Sequence, residues 1–195
     1  ANITSLILLI TIFGYALAFK SLFLKADSKL ENFDFFYGLI FLLFLSLLIN
    51  LFYPLYIFTL PIYFFGILFF IIGLKKKKIN INLFKYIFII FIFTFIAFYN
   101  GNNIDSPMYH LQSIKWMNLN KIVFGLVNLE IRFGMNSSWH SILSLMDLTF
   151  KNFSLKFYFN SLILSVFVYE VINNKNFRIK SNIFIFLCSI YLLFF

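Results

Sequence analysis

FFYGLIFLLFLSLLINLFYPLYIFTLPIYFFGILFFIIGL (residues 35–74), followed at once by KKKK (75–78), is the stretch that decides the fold. It contains no charged side chain. As a helix rising 1.5 Å per residue it would reach about 60 Å, twice a hydrocarbon core of about 30 Å. It must therefore turn back on itself. Tyr53-Pro54 marks the reversal, giving spans of about 35–53 and 55–74, with Pro61 expected to kink the second. The same reading assigns further spans at about 3–19, 86–99, 155–172 and 182–195. The fold class is thus all-α: a polytopic transmembrane helix bundle of about six spans forming a single membrane domain.

Composition points the same way. Of 195 residues, 62% are hydrophobic and 12% charged, against about half and a quarter in soluble domains. A compact soluble domain could not hide that much apolar surface. Disordered tails, disulfide-stapled modules and soluble nucleic-acid binders are set aside, and the lipid bilayer is the expected partner. The 32 phenylalanines reflect in part an AT-rich coding bias and carry no functional weight. Cys188 is the single cysteine, which excludes an intrachain disulfide.

The net charge of +9 reads as topology, because Lys and Arg gather in cytoplasmic loops. With the tetralysine and the rest of loop 75–85 in the cytoplasm, alternation puts Lys20, Lys25 and Lys29 inside, together with Lys175, Arg178 and Lys180. Loop 100–153 falls outside, in the periplasm of a bacterial inner membrane. It is sparsely basic, with Lys115, Lys121, Arg132 and Lys151. Residues 1–19 lack the basic start and small-residue cleavage site of a signal peptide. The chain begins without Met and stops inside an apolar run, so a fragment incomplete at both ends is expected.

The outer loop holds the chemistry: both tryptophans, both histidines, Asp105, Glu130, Arg132 and Asp147. Long connections of this kind are usually functional or disordered, and this composition is not that of disorder. Ser106-Pro107 reads as a helix start, and the spacing predicts an interfacial helix over about 107–119 with Trp116 at headgroup depth. After a turn at Phe133-Gly134-Met135-Asn136, a second helix over about 137–149 is too short to span and reads as interfacial or re-entrant. Asp105 is either a carboxylate stabilised at a helix N-terminus or a catalytic or metal-holding group. His110 and His140 are either phosphate binders and proton relays or interfacial side chains bonded to backbone. Arg132 can grip an anionic group bidentately or pair with Glu130. Asp147 and Glu170 read as interfacial.

Asp105-Ser106-Pro107-Met108-Tyr109-His110-Leu111-Gln112 with the downstream Gly134-Met135-Asn136-Ser137-Ser138-Trp139 resembles the first outer loop of GT-C type membrane glycosyltransferases. It is most similar to a family of uncharacterised bacterial multi-span proteins often grouped with them, whose N-terminal part the chain fits along its length, Asn50-Leu51-Phe52-Tyr53-Pro54-Leu55 included. Ser106 stands where many GT-C members carry a second carboxylate, and their double proline is absent. The resemblance implies a hexosyl- or pentosyl-transferring enzyme that takes sugar from a polyprenyl-phosphate donor to a cell-envelope glycan, lipid or protein acceptor. It implies Asp105 and His110 as catalytic residues, and Tyr109, Arg132, Asn136, Trp139 and His140 as substrate-binding residues. A divalent cation, Mg or Mn, would be held by Asp105 if by any residue. The rival readings are a lipid-linked-sugar flippase and a non-catalytic assembly subunit. The span interiors, holding Asn50, Asn160 and scattered Ser and Thr but no central carboxylate or Arg, speak against ion-coupled transport.

Overall fold

The computed structural model describes residues 2–24, 30–31, 33–76, 83–99, 110–129, 131, 138–150, 153–154 and 156–173. Seven α-helices make up the described fold: α1 (Asn2–Phe19), α2 (Asp34–Phe52), α3 (Tyr56–Lys75), α4 (Leu83–Tyr99), α5 (Leu111–Leu119), α6 (Ser138–Leu145) and α7 (Lys156–Asn173). A π-helical turn, Lys20–Leu24, extends α1. A small antiparallel hairpin, β1 (Thr149–Phe150) and β2 (Phe153–Ser154), leads into α7. The expected span at 182–195 lies outside the described residues.

Three helical segments, Ser5–Leu24, Asp34–Phe52 and Tyr56–Lys75, are long and apolar enough to cross a bilayer. The reversal between the last two falls at Tyr53-Pro54-Leu55, and α3 runs on through Pro61. Their surfaces are inverted relative to a soluble protein. Ile40, Phe44 and Phe52 on α2 and Leu60, Phe64 and Phe65 on α3 face outward. Hydroxyls along the helices bond to carbonyls of their own preceding turn: Thr11 to Ile7, Thr59 to Leu55, Thr94 to Ile90 and Ser165 to Leu162. That local bonding lets a polar side chain sit in a medium that offers no partner.

Helix α1 is the axis of the bundle. The most apolar window of α1 is 61% buried, against 33% for α2 and for α3. Glycine makes this possible. A Cβ on Gly14 would overlap the Gly66 carbonyl oxygen, and one on Gly38 would overlap that of Ile12. Small residues let helix backbones approach where lipid tails, as apolar as Leu, give no hydrophobic drive to associate. The Tyr15 hydroxyl adds a hydrogen bond to the Ile62 carbonyl.

The contacts also fix direction. Lys20 meets Asp34 and Ile12 meets Gly38, so α1 and α2 are antiparallel; Gly14 meets Gly66 and Leu17 meets Gly73, so α1 and α3 are parallel. At the tetralysine end, Phe35, Phe13, Tyr86 and Tyr169 form a chain of ring contacts linking α2, α1, α4 and α7. There too the Lys20 ammonium bonds the Asp34 carboxylate at 2.7 Å, both side chains being almost fully buried. The same carboxylate oxygen accepts the Glu31 N–H.

Gly66→Leu should force α1 and α3 apart at a cost at or above the upper end of overpacking, about 1–3 kcal/mol. The outward-facing Phe64→Leu should change stability by less than about 0.5 kcal/mol. Denaturant unfolding in detergent micelles compares the two.

Candidate functional site

The site is assembled at the end of the bundle opposite the tetralysine, and Asn50 begins it. Asn50 lies in the last turn of α2, 6% exposed. Its amide group donates to the carbonyls of Met117 and Asn120, at 3.1 Å each. Its own carbonyl accepts the Ile122 N–H at 2.8 Å, and the Leu55 N–H donates to Met117. The last carbonyls of α5, which have no intrahelical partner, are thereby satisfied by the α2–α3 turn. This places the turn and the long connection at one end of the bundle.

Helix α6 is sunk into that end. His140 through Met146 are all buried. Ser141 Oγ lies 2.8 Å from Ser46 Oγ on α2, and the Tyr63 hydroxyl on α3 donates to the Met146 carbonyl at 2.9 Å. Ser46 and Tyr63 each stand about two turns in from the ends of their helices, so α6 lies on the order of 10 Å below the turn. The Asn118 amide donates to the Ser144 carbonyl, tying α5 to α6. Of the 137–149 stretch, α6 occupies Ser138–Leu145; the chain is extended at Thr149–Phe150, where it pairs with Phe153–Ser154.

Parallel packing of α5 and α6 brings two candidate residues into contact. His110 Nδ1 and His140 Nε2 are 2.9 Å apart, with the rings edge to face. Such an N–H···N bond needs a lone pair on one side, so the pair carries at most one positive charge. His140 Nδ1 is buried with no hydrogen-bond partner. An orphaned lone pair is tolerated better than an orphaned N–H. The favoured tautomer therefore keeps the His140 proton on Nε2, donating to His110. Burial, and secondarily the adjacent His110, lowers the His140 pKa from its ordinary value.

Trp139, the neighbour of His140, joins α6 to α7: its indole N–H donates to Asn160 at 3.2 Å and its ring meets Phe159 edge-on. Asp105, Tyr109, Arg132 and Asn136 lie outside the described residues, as do Ser106 and Pro107 at the expected start of the first loop helix. Along α5 runs a groove of about 530 Å³, which neither His110 nor His140 lines. Tyr56, Thr59 and Leu60 of α3 form one wall; Gln112, Lys115 and Asn118 of α5 form the other, with Asp147 at the end. Sequence reasoning missed this groove and the role of Asn50. The available signal for Asn50 was a lone amide in the last turn of an apolar span, three residues before Tyr53-Pro54. Among the described residues no group of three or more His, Cys, Asp or Glu side chains converges as a metal centre.

Long apolar helices, outward-facing phenylalanines and internally bonded hydroxyls define a helical membrane bundle of the multi-span class. Within that class the chain belongs to the family described as a domain of unknown function, DUF8201, whose model matches residues 2–195. No curated protein and no solved structure matches the chain significantly.

Asn50→Leu should free the end of α5 by removing two hydrogen bonds worth about 1 kcal/mol each. Hydrogen exchange at the Ile122 and Leu55 amides should accelerate about tenfold or more, with α2 remaining folded.

The His pair also sets a pH dependence. Because the folded-state pKa of His140 is depressed, the unfolded chain binds more protons once pH falls below about 6.5. This contribution to stability is whole above that value and is lost as pH falls toward and through the depressed one. The midpoint of thermal unfolding should drop between about pH 7.5 and about pH 5, and the drop should be smaller in His140→Gln.

Proposed function

We propose that this chain is part of a GT-C-like membrane glycosyltransferase that moves a hexosyl or pentosyl group from a polyprenyl-phosphate donor to a cell-envelope acceptor. The observation that carries the reading is the His110–His140 contact. It joins the first motif, 105–112, to the second, 133–140, across 30 residues of sequence. Along α5, which follows His110, runs a groove walled by α3 on one side and by Leu111, Gln112, Lys115, Asn118 and Leu119 on the other. That combination suits a substrate with an apolar chain and a polar head.

In this proposal the acceptor oxygen attacks the anomeric carbon as the bond from that carbon to the phosphate oxygen breaks, with inversion. Asp105 takes the acceptor proton. The departing phosphate is neutralised by Arg132 and hydrogen-bonded by the imidazole of His110, which His140 orients through their mutual contact. Tyr109, Asn136 and Trp139 shape the sugar subsite. The isoprenoid tail lies against the outward-facing phenylalanines.

A divalent cation belongs to the proposal as an auxiliary that would stabilise charge on the leaving phosphate. Asp105 would hold it if any residue does, since the His110–His140 hydrogen bond already occupies one ring nitrogen of each histidine. In this proposal loop 75–85, with the tetralysine, faces the cytoplasm and loop 100–153 faces the periplasm of a bacterial inner membrane. The charge distribution along the sequence supports that orientation.

The test uses the full-length protein in proteoliposomes supplied with polyprenyl-phosphate sugars. Asp105→Asn should reduce sugar transfer by about 10²-fold or more, and His110→Asn should reduce it by a smaller factor. Unchanged transfer in Asp105→Asn overturns the enzyme reading. Movement of intact lipid-linked sugar across the bilayer without transfer would establish the flippase in its place.

A further inference from the structure

We propose that residues 119–129 form an apolar wedge inserted into the lipid leaflet on the side of the His pair, with Lys121 holding the phosphate of an anionic phospholipid. Phe124 is 87% exposed and Leu129 72%, and Leu119, Val123 and Val127 are also exposed. Such a cluster on one short segment marks an interaction surface. The segment is held in place. Its start is pinned by the Ile122 N–H to the Asn50 carbonyl and by the Asn50 amide to the Asn120 carbonyl. Its tip is a tight turn: Gly125 takes the left-handed conformation, φ 82°, and its carbonyl accepts the Asn128 N–H at 2.9 Å.

Position identifies the occupant. Asn50 closes α2, so the wedge departs from the level at which a spanning helix leaves the hydrocarbon. The exposed face of α2 (Leu47, Leu48, Leu51 and Phe52) runs up to that level, where the wedge is bonded to Asn50. Behind the tip lies a cavity of about 250 Å³, lined by Ser113, Trp116, Lys121 and Phe124 among others. Lys121 is its one charged lining residue. An indole, a hydroxyl and an ammonium beside an apolar tip match the boundary between lipid headgroup and acyl chain. The proposal stands whether or not the chain transfers sugar.

The experiment reconstitutes the full-length chain in nanodiscs, with Cys188→Ser and a Phe124→Cys position carrying an environment-sensitive fluorophore. Blue-shifted emission is expected, quenched strongly by lipids spin-labelled near the headgroup and weakly by iodide. Water-like emission quenched by iodide overturns the proposal. Blue-shifted emission insensitive to lipid-borne quenchers also overturns it, showing that protein covers the tip: a second copy or another part of the chain. For the headgroup, native mass spectrometry compares retained phosphatidylglycerol with phosphatidylcholine. Lys121→Gln should cut the preference about fivefold, the share of one basic side chain at a charged membrane surface. An unchanged preference removes Lys121 from the site. A Phe124→Leu variant that keeps the emission and quenching pattern, read from a label at position 127, guards against a fold defect at the tip.

Discussion

A primary amide in the last turn of an otherwise apolar helix must find acceptors or be costly to bury. Asn50 finds two, the Met117 and Asn120 carbonyls, which need donors because α5 ends there. Two unsatisfied ends thus cancel each other. Once α5 is held against the α2–α3 turn, α6 packs beside it, with Asn118 reaching Ser144 and Ser141 reaching Ser46. The meeting of His110 with His140 is the last step of that sequence of constraints. The joint at Asn50 holds α5, and with it His110, while Ser46, Tyr63 and Asn160 hold the segment that carries His140.

The helices around the quoted stretch were legible because lipid imposes a simple rule. A charge-free run of that length has to turn back, and Pro54 is where a helix cannot easily continue. What was not legible is which helix occupies the centre. Helices α1, α2 and α3 are about equally apolar, so hydropathy does not say which of them lies at the centre. The centre is decided by where backbones approach: Gly66 and Gly73, two turns apart on one face of α3, receive α1, and Gly38 receives it from the other side. In a Phe-rich sequence those glycines look incidental until the partner helix is known.

The site shows the same division. His110, Trp139 and His140 stand out as polar or amphipathic residues in a long connection, and each was a candidate by itself. Their geometry depends on the parallel packing of two short helices far apart in sequence, which no local pattern encodes. Helix α6 is the sharpest case. Ser138, His140, Ser141 and Ser144 give it a polar look suited to a surface, yet it is sunk in the bundle. The Ser141 hydroxyl meets Ser46, and the Ser144 and Met146 carbonyls meet Asn118 and Tyr63, whose own helices gave no sign of such partners.

The central place of α1 has a consequence for biogenesis. This helix is made before α2 and α3, whose surfaces cover most of it. When α1 enters the membrane, Gly14 and Thr11 face lipid with nothing packed on them. Their counterpart, Gly66, emerges only after a further two spans' worth of chain has been synthesised. The early inserted helix has α2 for a partner, through Gly38 and the Lys20–Asp34 pair, before α3 arrives to close the core. Insertion and assembly are therefore separate events in this protein, and a chain interrupted before residue 66 would be lodged in the bilayer without its central helix contact.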